Sequence, residues 1–183
     1  MKKKIIAALL AVLCVFSLSA QDASRAAVML NHFAARNFTT GAIPRADLDI
    51  IIQAAVRAPS ASNRQPWFFT VVQNMDLAKK IVPQIVEGNV LIIVSTEGTT
   101  DREILDCALA TQNIYLAAQA LGYGSRIHTG PIDSLNRTLK GELGLPANRN
   151  AVALIRIGRL AENADAASAA SARKAAGETV TYK

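Results

Sequence analysis

Residues 58–67 read Ala58-Pro59-Ser60-Ala61-Ser62-Asn63-Arg64-Gln65-Pro66-Trp67 and separate two regular elements. Before them, the apolar residues between Leu48 and Val56 recur at helical spacing, which predicts an amphipathic helix. After them, the aromatic and β-branched residues from Trp67 to Val72 predict a strand. Pro59 and Pro66 each lack an amide donor, so neither element continues through the stretch. The backbone and side-chain amides of this loop are therefore left free to face something else.

The loop places several hydrogen-bonding side chains beside one flat aromatic ring. Ser60, Ser62, Asn63 and Gln65 supply the donors and acceptors, and Trp67 supplies the ring. This combination suits a planar ligand rich in heteroatoms. The same residue types are also typical of an ordinary connecting loop, because Ser, Asn and Pro favour turns. On composition alone, both interpretations stay open.

The first twenty residues have the pattern of a secretory signal. A basic start at residues 2–4 is followed by an apolar core at residues 5–16 and a small-residue end at Leu18-Ser19-Ala20. We therefore predict a signal peptide over residues 1–20 and a periplasmic or extracellular location. The remaining residues 21–183 are long enough for one domain with a hydrophobic core.

Residues 1–20 also bear on whether the protein is expected to be attached to a membrane. Its apolar run is short for a membrane span, so no stable insertion is expected after cleavage. A retained anchor is the alternative, because Leu18 is bulkier than the usual residue at that position. Leu13 is too large for a typical lipobox before Cys14, so lipoprotein anchoring is not expected.

Charge and cysteine content exclude several other classes of function. Removing residues 1–20 takes away three lysines and no acids, so the formal charge falls from +6 to +3. No basic stripe interleaves with stacking aromatics, so no nucleic-acid partner is expected. Cys107 is the only cysteine after the leader, which rules out an internal disulfide, and we interpret it as a core residue. With two histidines in the chain, no metal site is expected.

The rest of the chain alternates helical and strand patterns. The segment from Asp101 to Leu121 is apolar nearly all round, which predicts a central buried helix, whereas its Glu103 and Asp106 are interpreted as solvated or cap-associated. The alanine-rich residues 161–176 fit either a helix or a poorly ordered arm. The other predicted elements are helices around residues 24–34, 76–86 and 135–143, strands at 90–94, 151–158 and 178–182, and a glycine-rich loop at 122–131.

Three segments together resemble the nitroreductase-like flavoprotein family. The pattern A-P-S-A-x-N-x-Q-P-W before an apolar strand is similar to the family's second signature. His32-Phe33-Ala34-Ala35-Arg36-Asn37-Phe38 corresponds to its first, phosphate-binding signature, and Ala172-Arg173-Lys174 to the segment before its terminal strand. The resemblance runs in order over residues 24–183. It implies an α+β, three-layer fold, with helices covering a central, mostly antiparallel sheet, and an intertwined homodimer that builds two FMN sites.

The resemblance also implies roles for particular residues. Arg36 and Arg173 correspond to cations that hold the FMN phosphate. The 58–67 loop corresponds to the part that contacts the flavin ring and ribityl chain, usually from the other subunit. Ile127–Gly130 corresponds to the segment near flavin N5. The backbones of Thr129 and Gly130 are the candidates near N5, since hydride chemistry needs stabilisation of charge on the reduced ring. The implied cofactor-binding residues are His32, Arg36, Pro59, Ser60, Ala61, Asn63, Gln65, Ile127, His128, Thr129, Gly130 and Arg173.

The phosphate segment departs from the family pattern at two positions. His32 stands where the family has a permanent charge, and Ala34 where it has a hydroxyl. Each lost charge-assisted bond to a phosphate weakens binding by on the order of 1.5 to 3 kcal/mol. The departure predicts weaker retention of FMN unless other groups compensate.

Two functions follow from the resemblance. The first is an FMN-dependent oxidoreductase that uses NAD(P)H to reduce nitroaromatic, quinone or similar conjugated acceptors by a ping-pong mechanism. The alternative is an exported, non-catalytic flavin-binding or structural dimer descended from the same fold, which the altered phosphate segment favours.

Overall fold

The computed structural model describes residues 26–162, 164 and 172–183. The predicted signal peptide and most of the alanine-rich stretch lie outside these residues. The described residues before Phe33 belong to one compact unit, and those from Phe33 onward belong to another. In the first unit, residues 26–31 are helical and the Asn31 side-chain amide donates to the Ala27 carbonyl.

The predicted first helix therefore ends earlier than expected, before Ala34. The reason is that the backbone there bonds elsewhere: the Phe33 amide donates to Gln119 Oε1 at 3.1 Å, and the Ala35 amide to the Ser125 carbonyl at 3.0 Å.

An antiparallel sheet forms the centre of the larger unit. Its strands, over the described residues, are β1 (Phe38–Thr39), β2 (Phe68–Val72), β3 (Val90–Thr96), β4 (Gly124–His128) and β5 (Asn150–Leu160). The order is β1-β5-β3-β2, and β4 also pairs with β5. Every residue of β3 is buried, as its continuous apolar run predicts.

Helices cover both faces of the sheet. On one face, α1 (Arg45–Val56) and α3 (Asp101–Ala120) share a core with Ile92 and Ile155. On the other, α2 (Met75–Ile81) and α4 (Ile132–Ser134), which continues as a π-helical turn over Leu135–Leu139, pack around Leu91 and Leu154. The predicted α+β, three-layer arrangement with a central antiparallel sheet is confirmed. Among the described residues, no helix is long and apolar enough to cross a membrane.

Three predicted segments take another form. The predicted glycine-rich loop contains β4, because the backbone of Gly124–His128 pairs with the distant strand β5. The helix expected over residues 76–86 ends at Ile81. The expected terminal strand is absent from this single chain over its described residues: Ala176–Glu178 forms a 3-10 turn, and the residues after it are exposed without regular structure.

Helix α3 is buried on one side only. Cys107, as predicted, is a core residue with 0% exposure, and burial, followed by the charge of Asp106, raises the pKa of its thiol to about 11. On the opposite side, Ile104, Leu105 and Leu109 are 42%, 60% and 37% exposed. The predicted central buried helix is therefore covered on one side only, and the described residues leave an apolar stripe exposed.

Candidate functional site

The 58–67 loop has an unusual backbone. Among the described residues, the non-glycine residues with positive φ are Ser62 at 54°, Asn63 at 55° and Gln65 at 48°. A side chain in this left-handed region costs about 1 to 3 kcal/mol at each position and persists only where the surroundings enforce it. Such strain clusters at ligand-binding and active sites. All three residues lie in the stretch that the sequence singles out.

The polar side chains of the loop form one connected group. Ser60 Oγ accepts the Gln65 amide at 3.0 Å, and the Gln65 side-chain amide donates to Asn63 Oδ1 at 3.0 Å. Asn63 and Gln65 are exposed, and Ser60 is half-buried. The network fixes which way these amides point and leaves Asn63 Nδ2 and Gln65 Oε1 without a partner among the described residues. These two atoms are available to a ligand.

Two charged side chains hold this loop from outside. The carboxylate of Asp106, on α3, accepts the Ala61 amide at 3.1 and 3.3 Å. At the other end, Arg149 donates to the Pro66 carbonyl at 2.9 Å and pairs with Glu97 at 3.0 Å. Its guanidinium also lies 5.3 Å from the centre of the Phe68 ring. The loop is thus anchored before and after its strained residues.

The segment Ile127–Gly130 ends β4. Thr129 and Gly130 follow the strand and are exposed. Burial lowers the pKa of His128, and the charges of Arg126 and Arg156 lower it further. The neutral form of His128 is therefore favoured over the imidazolium. Its Nε2 atom is buried without a hydrogen-bond partner among the described residues.

Residues 33–38, for which the resemblance implies phosphate binding, contact β4 through the Ala35–Ser125 hydrogen bond. Gln119 fixes this segment, since its side-chain amide donates to both the Phe33 carbonyl and Ser125 Oγ at 2.8 Å. Arg36 is exposed and forms no hydrogen bond or ion pair with the described residues. Arg173 acts on the same region: burial raises the pKa of Tyr115 on α3, whereas the Gln119 hydrogen bond and the positive charge of Arg173 lower it. His32 belongs to the smaller, N-terminal unit.

The predicted site residues of the larger unit fall into two groups. The end of the 58–67 loop leads into β2, whereas Ile127–Gly130 ends β4, and β5 and β3 lie between these strands. Adjacent strands are about 4.8 Å apart, so roughly 14 Å separates the two strands in one chain. Arg36 belongs with the β4 group, through the neighbouring Ala35–Ser125 hydrogen bond.

Sequence reasoning missed the residues that position these groups: Asp106, Gln119 and Arg149. Asp106 was interpreted as solvated or cap-associated; that is correct for Glu103, which completes a capping box with Thr100, and wrong for Asp106, which is 3% exposed. A signal was present, because Asp106 precedes Ala110 and Ile114 at helical spacing on the buried stripe of α3. No pattern in the sequence indicated that the side chains of Gln119 and Arg149 bind distant backbone groups.

Comparison with known proteins agrees with this arrangement. The sequence profile of the Nitroreductase family matches residues 30–91 and 83–159. A protein of Archaeoglobus fulgidus, provisionally named NADH dehydrogenase/NAD(P)H nitroreductase, is 34% identical over 124 residues, which are 61% of this chain and 71% of that protein. A protein of the same provisional name from Methanothermobacter thermautotrophicus is 30% identical over 140 residues, 70% of this chain and 73% of that protein.

Solved structures show the same fold. A nitroreductase with bound FMN from Bacteroides fragilis superposes with a TM-score of 0.71 at 23% identity, covering 85% of this chain and 96% of that one. A provisionally assigned nitroreductase from Desulfovibrio desulfuricans, in complex with FMN, gives 0.72 at 27% identity, covering 85% and 94%. Because the family profile matches residues 30–159, which is more than half of the chain, this chain belongs to the nitroreductase family.

Proposed function

We propose that the protein is an FMN-dependent oxidoreductase that takes electrons from NAD(P)H and passes them to a nitroaromatic, quinone or similar conjugated acceptor. The observation that carries the proposal is the strained 58–67 loop, in which Asn63 and Gln65 direct polar atoms away from the protein. Membership of the nitroreductase family supports flavin as the planar ligand, because solved members from B. fragilis and D. desulfuricans bind FMN.

The residues present fit an FMN molecule. Arg36 is an exposed cation without an ion pair among the described residues, as a phosphate requires. Ser60, Asn63 and Gln65 offer hydrogen bonds to the polar edge of a ring and to hydroxyl groups. The exposed backbone of Thr129 and Gly130 offers a further polar edge. Arg173, through its effect on Tyr115, lies where it would add a second cation.

When bound, FMN supplies the hydride chemistry. The chain's own contribution would be electrostatic and geometric: the exposed backbone amides of Thr129 and Gly130 would stabilise negative charge on the ring, and His128, whose neutral form is favoured, would pack beside it. The loop fixes the orientation of the ring, and the arginines retain the phosphate. No titrating side chain is assigned to the redox step.

The separation of the two groups of residues supports a homodimer. Because β2 and β4 are at opposite sides of the sheet, the 58–67 loop of one chain and the β4 end of the same chain are poorly placed to share one ligand. A second copy brings them together. The uncovered apolar stripe of Ile104, Leu105 and Leu109 on α3, together with the edge of β2 that no described strand pairs, gives surfaces for that copy to cover.

We further propose that the protein works outside the cytoplasm. The basic and apolar pattern of residues 1–20 supports export, with cleavage after Ala20. N-terminal sequencing of the protein recovered from the periplasm or medium tests this, and recovery of an uncleaved chain from the cytoplasm would contradict it.

Flavin loading and rapid reduction test the enzymatic proposal. The chain without residues 1–20 is purified with added FMN and then mixed with NADH or NADPH in a stopped-flow spectrometer. We expect bound flavin and rapid bleaching of its absorbance, followed by recovery when a quinone is added. Absence of bound flavin under all loading conditions would refute the proposal. Tight flavin binding without bleaching would instead support the non-catalytic binding protein, which the replacements at His32 and Ala34 favour.

The role of the loop is tested by Asn63→Ala. Loss of this side chain removes a flavin contact and the partner of Gln65, so we expect FMN affinity to fall by about tenfold. The fold should stay intact because Asn63 is exposed. Fluorescence titration of FMN and a thermal melt check this; unchanged affinity would contradict the placement of the loop.

The role of the phosphate segment is tested by Arg36→Gln. Removing a charge-assisted contact is expected to raise the dissociation constant for FMN by about 10- to 100-fold, and that for riboflavin, which lacks the phosphate, much less. Arg137→Gln is the matched control, because Arg137 is also exposed but lies on the π-helical turn. Equal losses for FMN and riboflavin would show that Arg36 does not face the phosphate.

A further inference from the structure

Asp106 is a buried carboxylate with an unusual partner. It is 3% exposed, and within the described part of the chain both of its oxygens accept from the single backbone amide of Ala61, at 3.1 and 3.3 Å. No cation forms an ion pair with it among the described residues. Carboxylates are almost never buried unless they are paired, because desolvation of the charge is costly. The placement therefore calls for a reason beyond packing.

The Ala61 amide, which Asp106 accepts, lies immediately before the left-handed residues of the loop. Ala61 begins the 3-10 turn Ala61–Asn63 and directly precedes Ser62 and Asn63, both in the left-handed region. Fixing the Ala61 amide fixes the position from which the chain enters that region. At the far end of the loop, the Pro66 carbonyl is fixed by Arg149. The strained residues therefore lie between two charged anchors on separate elements.

We infer that Asp106 is a positioning residue for the cofactor site, which holds the 58–67 loop in its strained, ligand-ready conformation through the Ala61 amide. The inference rests on the proposed flavin-binding function of that loop. Asp106 does not touch the cofactor; it acts through Ala61 on Ser60, Asn63 and Gln65.

A charged acceptor is suited to this task. A carboxylate binds a backbone amide more strongly than a neutral oxygen does, so it can hold a conformation that the loop alone would not keep. Ordering a loop costs conformational entropy. If the loop is ordered before the ligand arrives, this cost is not part of the binding free energy. A hydrophobic residue at this position would pack at lower desolvation cost, but would leave the Ala61 amide without its acceptor.

The test compares Asp106→Ala, Asp106→Asn and the control Asp101→Ala, an exposed acid on the same helix. The first readout needs no flavin: the hydrogen-exchange rate of the Ala61 amide, measured by NMR. We expect exchange at least about tenfold faster in Asp106→Ala, a smaller change in Asp106→Asn, whose amide oxygen still accepts a hydrogen bond, and none in Asp101→Ala.

The second readout is FMN affinity, which should fall in the same order, by about tenfold or more in Asp106→Ala at an unchanged far-UV spectrum. Wild-type exchange and affinity in a folded Asp106→Ala protein would overturn the inference. If that variant does not fold, the wild-type protein decides: an Ala61 amide that exchanges as fast as a fully exposed one overturns it. If the wild type binds no flavin, the proposed function fails, whereas the exchange data still establish whether Asp106 orders the loop.

Discussion

Ile155→Ala is expected to lower the free energy of unfolding by about 2 to 5 kcal/mol, the range for removing a large aliphatic side chain from a packed core. Ile155 is 0% exposed and lies at the centre of β5. It pairs with Ile92 on one side and Ile127 on the other. Because three strands and the helices of one face meet at this position, the surroundings cannot collapse into the cavity.

Urea unfolding of the flavin-free protein, followed by circular dichroism, measures the change. The matched control is Ile50→Ala. Ile50 lies on α1 and is 49% exposed, so this substitution removes the same atoms from a surface position. We expect its effect to stay within about 1 kcal/mol. Similar losses for the two variants would contradict the placement of β5 at the centre of the sheet.

Gly158→Ala is expected to destabilise the protein by about 2 to 4 kcal/mol, because overpacking and the loss of buried hydrogen bonds add together. A Cβ at this position would lie 2.4 Å from Nδ2 of Asn89. Asn89 is 1% exposed and cannot move freely, since it donates to the Thr39 carbonyl at 3.1 Å and accepts from Arg156 at 2.9 Å.

The same substitution should also disturb Arg156, which donates to Asn89. The Arg156 guanidinium stacks 4.1 Å from the centre of the Phe38 ring, and burial, followed by the charge of Arg126, lowers its pKa to about 10. Displacing Asn89 removes an acceptor from this buried cation, which is costly in a medium of low dielectric constant. The stability loss therefore comes from a polar cluster as well as from sterics.

Two further variants separate these causes. Gly141→Ala adds the same methyl group where nothing lies within 4 Å, so its effect should stay within about 0.5 kcal/mol. In an Asn89→Ala background, the steric conflict is gone, and Gly158→Ala should cost much less than in the wild type. Strict additivity of the two substitutions would show that Gly158 does not act through Asn89.

Local patterns predicted the parts of the fold that depend on neighbours in the chain. The continuous apolar run at Val90–Val94 predicted a buried strand because burial on both faces leaves no polar positions. The prolines at residues 59 and 66 predicted the central loop because they exclude both helix and ladder.

Other features depend on residues far away in the sequence. Gly124–His128 has the composition of a loop, and becomes β4 only because β5 presents a free edge beside it. The exposed apolar stripe on α3 was predicted to be buried, since nothing in the local sequence distinguishes an apolar face that packs in the core from one that the described residues leave exposed. Asp106 looked like a surface acid for a similar reason: its partner, the Ala61 amide, lies 45 residues away.

For the candidate site, the sequence by itself determined which residues carry the hydrogen-bonding chemistry, because donor and acceptor groups belong to residue types. Ser60, Asn63 and Gln65 were identified in this way, whereas Arg36 was identified through the family resemblance, and the roles of all four remain predictions. Only the tertiary structure decided how the loop is held, with Ser62, Asn63 and Gln65 in left-handed backbone between Asp106 and Arg149. The physical reason is that strain is not a property of the strained segment alone: it persists only where contacts from distant elements oppose it.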